Sequence, residues 1–145
     1  LERCSGEFIT FIGDDDGMMP FACKMALKVL EQFPALELLS WSPLSYWWPD
    51  CVPAYQKNRL YHHFSSPNQF QHRNARAVEK AFFGFAAEWN VLPMIYNSWV
   101  RRSLMERVRQ KTGGSYFPSV APDIFSGMAN LWGVESWIWL VGLIT

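Results

Sequence analysis

The stretch "FITFIGDDDGMMP", from Phe8 to Pro20, sets a run of β-formers directly against three adjacent carboxylates, Asp14, Asp15 and Asp16. Like charges in a row repel one another. A strand end has little use for them unless something positive sits there.

Phe8–Ile12 is apolar and either β-branched or aromatic, which predicts a short strand, and Gly13 to Gly17 predicts a turn. Pro20 suits the first position of a helix. In "FACKMALKVLEQF", Phe21, Met25 and Val29 share one face with Ala22, Ala26 and Leu30. Pro34 ends that helix, and "ALELLSW" (Ala35–Trp41) is a second strand. Strand, helix and strand within about 35 residues is the size of a parallel crossover unit. The expectation is therefore an α/β fold with a mostly parallel sheet, flanking helices, and Phe8–Ile12 beside Ala35–Trp41.

From Ser42 to Asn74 the pattern changes. Pro43, Pro49, Pro53 and Pro67 interrupt it, and "YWWPD" and "LYHHF" are aromatic-rich, so this segment reads as an irregular insertion with short strands on the sheet edge. "NARAVEKAFFGFAAEW" (Asn74–Trp89) reads as a helix with Asn74 as N-cap. "MIYNSWV" follows Pro93 as a strand, and "RRSLMERVRQKTGG" is a helix ending on Gly113 and Gly114. A loop and a further helix follow, with Pro122 in its first turn, and the apolar "WIWLVGLIT" (Trp137–Thr145) reads as a buried strand. At nine residues it is shorter than the roughly 20 that a spanning helix needs. The whole is one partial domain, 1–145, divided into 1–41, 42–74 and 75–145.

Composition narrows the classes. The chain has 145 residues, 50% hydrophobic and 17% aromatic, which supports a packed core rather than disorder. Thirteen basic residues balance thirteen acidic ones, so no global field attracts nucleic acid. Cys4, Cys23 and Cys51 are odd in number and lack metal-type spacing, which reads as free thiols in a reducing compartment. Position 1 is Leu, and the strand pattern starts almost at once, so the chain reads as part of a longer frame.

Loops at the carboxyl ends of parallel strands open into the crevice where α/β folds bind ligands. Asp14 and Asp16 are two apart, and in an extended backbone they point the same way. Two such carboxylates suit Mg²⁺ or Mn²⁺, which keeps water and binds phosphate oxygens as well. The plainer reading is a solvated acidic turn that favours the dipole of the following helix. Spacing alone leaves both open. A calcium-binding EF-hand loop starting at Asp14 would need an oxygen ligand at Met18 and Glu at Met25, so it fails. A haloacid-dehalogenase-type phosphatase wants Thr or Val at Met18 and a later acidic pair, and the chain supplies neither.

"GEFITFIGDDDGMMP" resembles the Asp-x-Asp segment of family 2 glycosyltransferases of GT-A fold. "LPMIYNSWVRRSLMERVRQKTGGSYFPSVAPDIFSGMANLW" (Leu92–Trp132) resembles the acceptor-side segment of a bacterial branch of that family. The resemblance implies a GT-A-like, Rossmann-like sheet whose amino-terminal half, with the nucleotide pocket, precedes Leu1. It implies that Asp14 and Asp16 hold a divalent cation, that Asp14, Asp15 and Asp16 face the diphosphate of a nucleotide-sugar donor, and that Asp123 is the general base. Many relatives have Glu-Asp where this chain has Pro122-Asp123. It further implies inverting transfer to a carbohydrate or lipid-linked acceptor, and a cytoplasmic location at the inner face of the membrane. Self-association through a bared sheet edge follows from the absent half.

Other conspicuous residues carry plainer readings. His62 and His63 are adjacent and would point to opposite faces of a strand; His72 is alone. The aromatics of "YWWPD" pack on the sheet or form a sugar-stacking platform. Arg101 and Arg102 open a helix as a solvated first turn or reach a phosphate. The competing function is a non-catalytic module that binds carbohydrate or a partner chain, with a phosphatase as a third class.

Overall fold

The computed structural model describes residues 3–61 and 70–141. Seven strands and four α-helices lie along them. In chain order these are β1 (Phe8–Ile9), α1 (Ala22–Gln32), β2 (Leu38–Trp41), β3 (Ser45–Trp47), β4 (Arg59–Tyr61) and β5 (Phe70–Asn74). Then follow α2 (Ala75–Phe83), β6 (Ser98–Arg101), α3 (Arg102–Lys111), α4 (Pro122–Gly133) and β7 (Ser136–Leu140). The main sheet has the order β1-β6-β2-β7-β5, and β3 with β4 forms a separate hairpin.

The fold is mixed α/β, but the sheet is not mostly parallel. Of its pairings only β2–β7 is parallel; β1–β6, β6–β2 and β7–β5 are antiparallel. β1 and β2 are not neighbours, because β6 lies between them, with Val100 opposite both Ile9 and Leu38. Arg101 makes the insertion of β6 specific. Its guanidinium donates to the carbonyls of Leu36 (3.0 Å) and Pro34 (2.8 Å), pairs with Glu7, and lies 4.6 Å from the centre of the Phe8 ring. One side chain thus ties the approaches to both flanking strands. Arg102 donates to the carbonyls of Cys4 and Gly6. Neither arginine is a freely solvated first-turn residue.

Because β6 opposes both β1 and β2, and β2 runs with β7, three strands point one way: β1, β2 and β7. Alternation along them sorts side chains to the two faces. Leu39, Trp41, Ile138 and Leu140 pack on Ala22, Ala26 and Val29 of α1. Leu38, Val100, Trp137 and Trp139 face the other way, into a core shared with α3 and α4. Trp137 Nε1 donates to Ser40 Oγ at 2.7 Å, so the polar atoms inside that layer meet each other.

Element boundaries depart from the pattern at identifiable places. β1 stops at Ile9; beyond it, Phe11 N–H reaches Ile95 O at 3.4 Å. α1 begins at Ala22 with Phe21 as cap, so Pro20 lies outside it. The segment 42–74 is not wholly an insertion, since Phe70–Asn74 pairs along its length with β7 as an edge strand. Asn74 does cap α2, its Oδ1 accepting the Ala77 N–H at 2.9 Å, but α2 ends at Phe83 before Gly84. Gly113 and Gly114 have φ of 69° and 91°, the left-handed backbone that ends α3 and that glycine adopts without cost. Pro122 opens α4. His62, His63 and Gly142–Thr145 lie outside the described residues. No helix among the described residues is long and apolar enough to cross a membrane.

Candidate functional site

The carboxyl ends of β1 and β2 and the amino end of β6 meet at one edge of the sheet, and a cleft of about 570 Å³ opens there. Ile12, Asp15, Asp16 and Gly17 come to it from the loop after β1. Pro43, Leu44, Ser45, Tyr46 and Trp48 come from the end of β2 and the hairpin, and Leu60 from β4. Met94, Tyr96 and Asn97 come from the segment before β6. Carboxylates and an aromatic wall therefore share one recess.

The acidic loop is not extended. Asp16 N–H donates to Gly13 O at 3.3 Å, and Gly13 N–H donates to Asp16 Oδ2 at 2.9 Å, which closes a tight turn. In a turn the two-residue alternation of a strand is lost. A Cβ built on Gly13 would sit 2.8 Å from Asp15 Oδ1 and 2.9 Å from Asp16 Oδ2. Those two oxygens therefore lie over the same glycine, and any side chain there would collide with them. All three carboxylates are exposed; Asp15 and Asp16 line the cleft and Asp14 does not.

The opposite wall is fixed by polar anchors. Segment 93–97 is tied to α4 twice: Asn130 Nδ2 donates to Pro93 O at 2.8 Å, and Ile95 N–H donates to Ser126 Oγ at 3.1 Å. It is tied to the loop after β1 by Ile95 O, which accepts from Phe11 N–H and from Thr10 Oγ at 3.3 Å. Asn97 Nδ2 donates to Trp41 O at 3.1 Å. Asn130 is itself oriented by Tyr116, whose hydroxyl donates to its Oδ1 at 2.7 Å; burial pushes that phenol well above its ordinary titration range.

Asn97 has one polar atom unaccounted for. The residue is 2% exposed, and its Oδ1 has no hydrogen-bond partner among the described residues. The amide cannot be flipped to solve this, because Oδ1 would then face the Trp41 carbonyl. An unpaired buried acceptor costs about 1–3 kcal/mol. Sequence reading missed this residue. Its signal is a lone amide inside the otherwise apolar and aromatic "MIYNSWV".

Asp123 lies in the first turn of α4, half-buried, and its carbonyl accepts from Ser126 Oγ at 2.8 Å. Its helix start is thus joined through Ser126 and Ile95 to the end of β1. It is not among the residues lining the cleft.

No described group of three or more His, Cys, Asp and Glu side chains is placed to hold an ion alone. Two carboxylates fit a different mode, in which Mg²⁺ or Mn²⁺ keeps waters and completes its shell with substrate phosphate. Asp15 and Asp16 present such a pair. Among the described residues, no Lys, Arg or His lines this cleft.

At the amino ends of β2 and β7 a second cleft, of about 550 Å³, holds Glu37, His72 and Glu135. Glu37 is already engaged by Arg107 through contacts of 2.8 and 2.7 Å, which hold its carboxyl below the ordinary range. His72 lies exposed between the edges of Phe33 and Phe70. Cys4, Cys23 and Cys51 are free thiols.

No protein-family model matches the chain. No curated protein matches it significantly either.

Proposed function

We propose that the chain carries the metal and acceptor side of a glycosyltransferase that moves a sugar from a nucleotide-diphosphate donor to an acceptor hydroxyl. The observation that supports this best is the pair of carboxylates, Asp15 and Asp16, gathered over Gly13 in a cleft at the carboxyl ends of β1 and β2. A cleft with two carboxylates and, among the described residues, no cationic side chain repels a diphosphate by itself. Asp15 and Asp16 would hold the divalent cation, with Asp14 beside them on the loop. Bound there, that ion would neutralise the charge that builds on the departing diphosphate. Asp123 is the residue assigned to take the proton from the attacking hydroxyl, which gives inversion at the anomeric carbon. The acceptor is a carbohydrate or a lipid-linked one, which places the reaction in the cytoplasm at the inner face of the membrane. The outer edge of β1 is the surface proposed for self-association.

Calorimetry of UDP and GDP with and without Mn²⁺ tests this reading. Heat of binding should appear only with Mn²⁺ and vanish in Asp16→Ala. Asp123→Asn in an active full-length relative should keep that binding and lose turnover, because it removes only the base. Metal-independent binding, or none with Mn²⁺ present, contradicts the assignment. The exposed aromatic hairpin favours a second reading, a carbohydrate-binding module without chemistry. Saccharide binding without any metal-dependent nucleotide binding would select it.

A further inference from the structure

The loop after β1 borders a second recess. A cleft of about 520 Å³ opens beside Phe11 and the turn that follows α3, and Arg3, Arg109, Ser115 and Phe117 help to line it. Among the described residues its charged lining is cationic only, the reverse of the cleft that Asp15 and Asp16 line, and the two clefts share no lining residue.

Both guanidiniums are positioned without being used up. Arg109 is braced by Glu106, whose carboxylate oxygens lie 3.3 and 3.2 Å from Nη1, and by the Gly114 carbonyl, to which Nε donates at 3.2 Å. Its Nη2 has no hydrogen-bond partner among the described residues, and Arg3 has no carboxylate partner among them. The backbone that carries Arg3 is held, because Arg102 donates to the carbonyl of the next residue, Cys4. One carboxylate against two guanidiniums leaves the recess net positive. Aromatic rings line it as well. Phe11 and Phe117 have ring centres 5.3 Å apart at 86°, and Tyr116 lies 4.9 Å from Phe117 at the same angle. Free guanidinium N–H groups call for an oxyanion, whose oxygens match their fork. Aromatic surface calls for an apolar body.

We propose that this cleft binds an organic oxyanion, a phosphate monoester or a carboxylate on an aromatic body, with Arg3 and Arg109 on its oxygens and Phe11 and Phe117 against its ring. The site goes beyond the transferase reading and does not rest on it, since it uses neither the metal nor the nucleotide.

The test is an amide NMR titration of the wild-type chain with phenyl phosphate and with benzoate, and with inorganic phosphate and phenol as the two half-ligands. At least one of the organic anions should shift the amides of Gly114, Ser115 and Phe117 saturably, and the tighter of the two separates phosphate from carboxylate. Its affinity should fall about tenfold in Arg109→Gln and in Arg3→Gln, the loss of a charge-assisted hydrogen bond. Arg76→Gln, at an exposed arginine outside the cleft, should leave it unchanged. Arg109→Gln also loses its brace on Gly114, so Arg3→Gln, at an exposed side chain with no partner to lose, decides the matter if the first variant misfolds. No saturable shift with either anion, a half-ligand that binds as tightly as the whole, or full affinity in Arg3→Gln overturns the proposal.

Discussion

Ser126 Oγ accepts the main-chain N–H of Ile95 at 3.1 Å and donates its own O–H to the carbonyl of Asp123 at 2.8 Å. One hydroxyl therefore locks the first turn of α4 to the segment that walls the cleft. Ser126 is fully buried, so no water replaces it at the surface. Ser126→Ala leaves the buried Ile95 N–H without an acceptor. It should cost about 1–3 kcal/mol. Urea denaturation followed by tryptophan fluorescence checks this, and an unchanged midpoint would contradict it.

Gly127, the next residue, lets α4 approach the same segment. A Cβ there would lie 2.8 Å from Leu92 Cβ and 3.1 Å from Met94 Cγ. Leu92 Cβ is next to the backbone and cannot swing away, so the helix or the segment must move. Gly127→Ala should destabilise by about 1–3 kcal/mol through overpacking, despite alanine's better helix propensity. Thermal melts measure this. Met94 lines the cleft, so the same variant should also weaken whatever binds there.

Tyr116 makes stability sensitive to alkali. Its phenol is 2% exposed, and burial raises its titration above the ordinary value of 10.0. The neutral form is favoured in the folded state, so the contribution is full below pH 10.0 and declines as pH rises through the folded value. Stability should fall progressively above about pH 10 in the wild type. Tyr116→Phe removes the O–H donor to Asn130 Oδ1 and should cost about 1–3 kcal/mol at neutral pH. That variant should also lose part of the alkaline slope. Equal slopes in the two proteins would rule Tyr116 out as the source.

Asn74 as a cap, Pro122 at the start of α4 and the glycines after α3 were legible, because each acts through its own few residues. The amphipathic spacing found the buried face of α1 in part for the same reason: Ala22, Ala26 and Val29 are buried, Met25 and Leu30 half-buried, and Phe21 is exposed. The position of β6 was not legible. Its pairing of Val100 with Ile9 and Leu38 joins distant residues, and an alternating pattern specifies a face rather than a partner. The acidic loop misled in a different way. Asp14 and Asp16 would point the same way in an extended chain, but the Gly13–Asp16 hydrogen bonds make a turn, and Asp15 and Asp16 line the cleft. Asn97 escaped notice because its importance lies in a missing partner, which only three-dimensional bookkeeping reveals.

Asp15 and Asp16 are proposed to hold a divalent cation together at the cleft. Electron paramagnetic resonance of Mn²⁺ measures this directly, because free Mn²⁺ loses its six-line signal on binding and no nucleotide pocket is needed. A saturable site is expected in the wild-type chain, weakened at least about tenfold in Asp15→Asn and in Asp16→Asn and little changed in Asp14→Asn. A wild-type chain that leaves the Mn²⁺ signal intact, or a site that survives loss of both Asp15 and Asp16, would contradict it.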